Sequence, residues 1–214
     1  MIDMEKLLFN KNFTCVAVSK TKPVDDIEKI YNLGHKEFGE NKVQELLDKY
    51  DKLPKDIKWH MIGHLQTNKI KKVIPIISLI HSVDSLKLLK KINNEAIKIN
   101  KVISCLLQIN ISNENNKYGF TIDQIREIFN NEVLKDFKFI RIKGLMGMAS
   151  FTENENQIRI EFKNLKKIFD ELKIKYPELK IISMGMSGDY KIAIEEGSNM
   201  IRIGSKIFGK RNYQ

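Results

Sequence analysis

Two short segments near the C-terminal end are rich in small residues, SMGMSGD at 183–189 and RIGS at 202–205. Small residues let a phosphate approach the backbone, where N–H and hydroxyl groups can donate hydrogen bonds to it. Either segment alone is more simply a turn with a helix cap. The pair, each following a predicted strand, predicts a phosphate site on two neighbouring loops. The small residues concerned are Gly185, Ser187, Gly188, Gly204 and Ser205.

Lys20 ends the first predicted strand, in the segment SKTKP. A lysine held in a desolvated site is a candidate Schiff-base nucleophile, because loss of water favours its neutral amine. From spacing alone, a solvated surface lysine is the simpler interpretation, since the chain has 32 lysines. Lys22 is the nearest alternative, although Pro23 after it places Lys22 in a turn.

The four histidines predict no metal site. His60 and His64 are four residues apart, but their segment has the pattern of a strand and a turn, and no carboxylate accompanies them. The sequence also lacks a Gly-x-Ser-x-Gly elbow, a Walker loop and a Gly-x-Gly-x-x-Gly dinucleotide fingerprint.

Eight short apolar runs alternate with amphipathic stretches along the chain. The middle runs are almost continuous in Val, Ile, Leu and Met, which is typical of parallel strands buried on both faces. The second run is weak, so seven strands remain an alternative. The predicted strands are 13–18, 37–39, 59–62, 79–83, 102–111, 139–148, 180–184 and 200–204.

The stretches between these runs have helical periodicity; one places apolar residues at 158, 162, 165, 169 and 172, at spacings of 4, 3, 4 and 3. Strict alternation of strand and helix predicts a parallel sheet covered by helices. Eight units favour an α/β fold with one closed (β/α)8 TIM barrel over residues 1–214, rather than an open doubly wound sheet. Active sites of such barrels lie at the carboxyl ends of the strands.

Composition bears on nucleic-acid binding, on membrane insertion and on the redox compartment. The net charge is 37 − 27 = +10, but only five of the basic residues are Arg, and the lysines are spread along the whole chain. Because base readout favours Arg, we expect a basic surface rather than a nucleic-acid site. The longest uncharged run, 102–113, is too short for a membrane span. Cys15 and Cys105 lie in apolar runs, which predicts buried thiols in a reducing, cytoplasmic setting.

Several motifs together resemble one protein family. They occur in family order from about residue 13 to the last residues, so the chain is similar to the pyridoxal phosphate homeostasis proteins, the YggS/PROSC family. The motifs are AVSKTKP (17–23), FGEN (38–41), WHMIG (59–63), LQTNK (65–69), LQINIS (107–112), GLM (144–146), SMGMS (183–187) and IRIG (201–204).

The resemblance implies a barrel like the N-terminal domain of alanine racemase. It also implies pyridoxal 5′-phosphate (PLP) held covalently as an aldimine to Lys20. By motif position, Arg202 faces the pyridine nitrogen and Asn41 lies beside the ring, while Lys117 matches a lysine associated with cofactor transfer. The phosphate contacts implied by the family are Ser187, Gly204 and Ser205.

The family points to a non-catalytic carrier or buffer of PLP, with apo forms of PLP-dependent enzymes as possible recipients. The sequence ends at Gln214, soon after the last strand, and we expect no further β-domain to supply a second catalytic base. The alternative is a PLP-dependent racemase or lyase of small amino acids, which would use Tyr118, His60 or His64 as that base. A barrel aldolase that uses Lys20 is a further alternative. No apolar stripe is left unpaired, which favours a monomer.

Overall fold

The computed structural model describes residues 4–112, 118–131 and 133–209, and within them the eight predicted strands are confirmed. They form one closed parallel barrel in chain order, with β8 pairing with β1. The weak second run is a full member of the sheet. The strands are β1 Thr14–Val18, β2 Glu37–Glu40, β3 Lys58–Met61, β4 Ile77–Val83, β5 Ile103–Ile109, β6 Ile140–Gly147, β7 Ile181–Ser183 and β8 Met200–Ile203.

Helices follow the strands around the outside of the barrel. Short 3-10 segments at Thr67–Lys69 and Val133–Asp136 add to the connections. The α-helices in the described part of the chain are α1 Met4–Leu8, α2 Val24–Asn32, α3 Val43–Lys52, α4 Ile70–Val73, α5 Leu86–Lys98, α6 Ile122–Asn130, α7 Glu155–Lys175, α8 Tyr190–Glu195 and α9 Ser205–Phe208.

Local sequence signals explain where helices begin and which face they bury. Thr121 and Gln124 form a reciprocal capping box at the start of α6, which satisfies backbone N–H groups that have no partner within the helix. On α7 the predicted apolar stripe is buried, with Phe162 and Leu165 completely inaccessible to solvent. The helix therefore covers the sheet with the face that the 3.6-residue period specifies.

The apolar residues form two separate clusters because strand side chains alternate between the two faces of the sheet. The larger cluster fills the layer between sheet and helices and includes the buried thiols of Cys15 and Cys105, as predicted. Burial raises the pKa of Cys15 to about 12. The smaller cluster lies inside the barrel and consists of Val16, Leu79, Leu106, Met146 and Met200.

Closure of the barrel brings the carboxyl ends of all eight strands to one mouth, so residues far apart in sequence become neighbours there. Within the described residues, no helix has the length and apolar character that a membrane crossing requires.

Candidate functional site at the barrel mouth

A cavity of about 830 Å³ opens at the carboxyl end of the barrel. Its walls come from the turn after β1, the segments after β2 and β6, and the loops after β7 and β8. The structure brings all six sequence candidates into this wall. They are Lys20, Asn41, Ser187, Arg202, Gly204 and Ser205.

Lys20 occupies the second position of a tight turn over residues 19–22, closed by a backbone hydrogen bond of 3.0 Å between its first and last residues. Thr21 has φ +65°, in the left-handed region that β-branched residues rarely adopt. Such a conformation costs about 1–3 kcal/mol, so surrounding contacts must hold it. One of these is a hydrogen bond of 2.5 Å from the Thr21 N–H to the carboxylate of Glu45.

A buried ionic cluster supports this turn. Lys49 on α3 donates hydrogen bonds of 2.7 Å to the carboxylates of Glu40 and Glu45 and to the backbone carbonyl of Ser19. The Ser19 hydroxyl donates to Glu40 at 2.6 Å. Burial raises the pKa of Glu40 to about 7, although Lys49 acts in the opposite direction. These contacts fix the backbone on either side of Lys20 and so define the position from which its side chain extends.

Arg202 contributes a positive charge from inside the barrel. It is only 4% exposed, yet it lines the cavity. Its guanidinium donates to Ser183 Oγ at 2.7 Å and to the Gly147 carbonyl at 3.0 Å, and both partners are neutral. Burial lowers the pKa of Arg202 to about 10, against the opposing charge of Asp189. The side chain therefore remains a cation at neutral pH.

Behind Arg202, polar side chains continue through the barrel interior. His81 Nδ1 lies 3.1 Å from Ser183 Oγ, and His81 Nε2 lies 2.8 Å from His60 Nδ1. His60 Nε2 lies 2.7 Å from a carboxylate oxygen of Glu37, at the start of β2. This row of polar side chains therefore reaches from the cavity to the opposite end of the barrel.

Charge and burial set the protonation states of two members of this row, His81 and Glu37. Burial lowers the pKa of His81 well below its ordinary value, and the nearby His60 and Arg202 lower it further. Burial alone would raise the pKa of Glu37, but His60 and Lys58 outweigh it and bring the pKa to about 2. At neutral pH, His81 is therefore neutral and Glu37 is an anion.

The loops after β7 and β8 are tied together, as expected if they form one binding surface. The Gly204 N–H donates to Ser187 Oγ at 3.2 Å, and the Arg202 N–H donates to the Gly185 carbonyl at 2.9 Å. Gly185 has φ +97°, and a Cβ there would lie 2.6 Å from the Cβ of Ala193. Glycine is therefore required at this turn.

The loop after β6 forms another part of the cavity wall and is held by one buried carboxylate. Glu161 on α7 accepts hydrogen bonds from the Ser150 N–H and hydroxyl, each at 2.7 Å. One residue further on, Phe151 is fully exposed at the rim.

The three candidates for a second catalytic base lie elsewhere. His60 is inside the barrel, whereas His64 pairs with Asp84 at 2.9 Å and stacks on Tyr118 with ring centroids 4.2 Å apart. Among the described residues that line the cavity, none of the three base candidates is present. Lys117 lies outside the described residues.

The sequence analysis did not identify the residues that support the cavity: Ser183, His81 and Glu37 behind Arg202, and Lys49 and Glu40 behind Lys20. A signal for the first group was available. His60, His81 and Ser183 are polar residues inside apolar strand runs. No comparable pattern marks Lys49, which has the appearance of one helix lysine among many.

Comparison with known proteins places this arrangement in a class. A family model described as "Alanine racemase, N-terminal domain" matches residues 3–212. Alanine racemase from Clostridium difficile has the same barrel, with a TM-score of 0.79 at 15% identity over 99% of this chain and 56% of that chain. The fold is thus an alanine racemase-type barrel.

Closer relatives define the family within that class. The pyridoxal phosphate homeostasis protein of Aquifex aeolicus is 40% identical over 200 residues, or 92% of this chain and 87% of that protein. The Escherichia coli protein of that name is 35% identical over 208 residues, or 95% of this chain and 88% of that protein. The chain belongs to the pyridoxal phosphate homeostasis protein family.

A solved member shows the same fold with a ligand. PipY of Synechococcus elongatus, with PLP bound, is 31% identical and has a TM-score of 0.84, with 94% of each chain covered. The resemblance inferred from the motifs is therefore confirmed at the level of family and fold.

The neutral state of His81 predicts a loss of stability in acid. Unfolding releases His81 to its ordinary pKa, so below about pH 6.5 the unfolded chain binds a proton that the folded chain does not. The free energy of unfolding should fall as the pH drops from 6.5 towards 5, by up to about 1.4 kcal/mol per pH unit from this group. Urea unfolding of wild type and His81→Asn at several pH values measures it. The variant should show a shallower slope, and parallel slopes would contradict the prediction.

Proposed function

We propose that this protein binds PLP at the barrel mouth and carries or buffers it in the cell, with little or no catalysis. The observation that carries the proposal is the convergence of a lysine amine, a buried arginine and two serine hydroxyls on one cavity. When bound, PLP supplies a reactive aldehyde and an electron-withdrawing ring. The names of the relatives and the PLP-bound PipY structure support this proposal.

The residues present fit such a ligand in size and in chemistry. A volume of about 830 Å³ lies within the range of small-molecule sites, roughly 300–1,000 Å³. At Gly204 a Cβ would lie 3.3 Å from the carbonyl oxygen of Val18, so the missing side chain leaves space at the wall that both residues share. The cations and hydroxyl donors match a phosphate anion.

In this proposal Lys20 holds the aldehyde carbon covalently. The amine nitrogen forms a Schiff base with that carbon, and one water is released. The strained and hydrogen-bonded turn over residues 19–22 supports the assignment, because it fixes the backbone from which Lys20 extends. Lys22 also lines the cavity, but its amine donates to the Phe208 carbonyl at 2.8 Å.

The loops after β7 and β8 hold the phosphate in this proposal. Ser187 Oγ accepts a hydrogen bond from Gly204, so its hydroxyl hydrogen can be donated to a phosphate oxygen. Ser205 adds a second hydroxyl at the start of α9. Asn41 lines the wall near the first turn, where we assign it a contact beside the ring.

Arg202 is the reason to expect weak catalysis. Its charge, placed against the ring nitrogen, disfavours a proton there, and a neutral ring withdraws electrons less strongly. A racemase or lyase would also need a base to remove the α-proton of an amino acid. The base candidates His60 and His64 make other contacts, with His81 and Asp84.

A reversible Schiff base suits delivery of the cofactor, because an incoming amine or water can release it. We infer that apo forms of PLP-dependent enzymes are the recipients. The two free, buried cysteines support a cytoplasmic location, and the absence of an unpaired apolar stripe in the sequence supports a monomer.

Lys20→Ala should abolish the absorbance band of the Schiff base, because only an amine can form that bond. Circular dichroism should show an intact fold, since the side chain lies at the mouth and packs little. Borohydride reduction and peptide mapping of the wild-type protein should place the label on Lys20. The matched variant Lys22→Ala should keep the band. A label chiefly on Lys22 or Lys117, with Lys20→Ala still absorbing, would refute the assignment.

Ser187→Ala combined with Ser205→Ala should weaken PLP binding at least tenfold, because each hydrogen bond to a charged phosphate contributes about 1.5–3 kcal/mol. Pyridoxal, which lacks the phosphate, should bind wild type and variant with similar affinity. Equilibrium titration of both ligands tests this. Equal losses for both ligands would show that the two serines are not phosphate ligands.

The wild-type protein loaded with PLP should exchange the α-proton of alanine no faster than free PLP at the same concentration. The reasons are the charge of Arg202 at the ring nitrogen and the positions of His60, His64 and Tyr118, which are not among the described residues of the cavity wall. Incorporation of deuterium from heavy water into alanine, followed by NMR, measures the rate. Exchange many times faster than with free PLP would favour the racemase alternative.

A further inference from the structure

The row of polar side chains behind Arg202 has no part in ligand contact as proposed so far. We propose that Ser183, His81 and His60 are positioning residues that aim Arg202 at the ring nitrogen of the bound cofactor. This inference rests on the proposed function, and it adds residues from β3, β4 and β7 that do not themselves touch the ligand.

The hydrogen bonds in this row have one consistent direction when His81 is neutral and carries its proton on Nε2. The Glu37 carboxylate only accepts, so His60 Nε2 donates to it and His60 Nδ1 accepts from His81 Nε2. His81 Nδ1 is then an acceptor for the Ser183 hydroxyl. The hydroxyl oxygen in turn accepts from Arg202, which can only donate. Together with the hydrogen bond to the Gly147 carbonyl, these contacts hold the guanidinium in one position.

Burial makes these contacts necessary. Ser183 and His81 are fully inaccessible to solvent, and His60 and Arg202 are almost so. A donor of Arg202 left unpaired in this interior would face the full desolvation penalty. The guanidinium is therefore held where Ser183 Oγ and the Gly147 carbonyl both accept from it.

The row also holds Arg202 without neutralising it. A carboxylate bonded directly to the guanidinium would cancel much of its charge at the cavity. Here the carboxylate of the row, Glu37, lies at the opposite end of the barrel, with Ser183, His81 and His60 between it and the guanidinium. Asp189 acts on Arg202 through its charge, while Asp189 Oδ1 accepts from the Met186 N–H at 2.5 Å. The cation remains directed towards the cavity.

The test compares two ligands that differ only at the atom in question. PLP carries the ring nitrogen, and 1-deazapyridoxal 5′-phosphate carries a carbon in its place. Ser183→Ala removes the hydroxyl that accepts a hydrogen bond from Arg202. We expect PLP affinity to fall about tenfold or more in Ser183→Ala, with the affinity for the deaza analogue changed less than threefold.

Two further variants keep the test interpretable. Ser198→Ala removes another buried hydroxyl, which donates to the Met184 carbonyl at 2.8 Å and is not in the row, so it should leave the ratio of the two affinities unchanged. His81→Asn keeps an acceptor at the position of Nδ1 facing Ser183, so it should retain most of the preference for PLP. Thermal unfolding of all variants identifies any that have lost the fold, and His81→Asn then serves as the alternative probe.

The outcomes distinguish failure of the positioning role from failure of the proposed PLP-binding function. Loss of discrimination in Ser183→Ala, with discrimination kept in Ser198→Ala, supports the positioning role. Equal weakening of both ligands in Ser183→Ala, or no weakening of either in the folded variant, overturns it while the site assignment stands. Failure of wild type to bind PLP overturns the proposed function, and the positioning role with it.

Discussion

A cation buried at the mouth of a closed barrel is the constraint on which the arrangement of the site depends. Arg202 is 4% exposed and keeps its charge at neutral pH, so the interior must supply acceptors for its donors. Ser183 and Gly147 do so, and two histidines continue the row to Glu37. The inner apolar cluster is correspondingly small, because polar side chains occupy part of the interior that apolar residues would otherwise fill.

The turn after β1, the strand that pairs with β8, is supported by charges of both signs. Lys49 and two glutamates are packed beneath the turn that carries Lys20, and they bond to its backbone at two points. Lys20 and Arg202 are thus each supported by polar residues that lie behind the cavity surface. Rigid support of this kind suits a site that must present an amine and a cation at fixed positions, because both side chains are long and flexible.

Much of the fold could be predicted from the sequence, because period and alternation are local properties of the chain. All eight strands and the α7 stripe are confirmed. The cavity wall was also predictable, since the carboxyl ends of barrel strands converge. The supporting residues were not, because Lys49 and Glu40 meet only through the packing of α3 on β2, which has no local signature. The role of Lys117 stays a prediction.

We propose that one cavity holds PLP with its aldehyde at Lys20, its phosphate at Ser187 and Ser205, and its ring nitrogen at Arg202. A crystal structure of the protein soaked with PLP tests all three contacts at once. We expect continuous density from Lys20 Nζ to the aldehyde carbon of PLP. We also expect phosphate oxygens within hydrogen-bond distance of both serines, and the ring nitrogen within that distance of the Arg202 guanidinium. Density joined to another lysine, or a ring turned with its nitrogen away from Arg202, would contradict it.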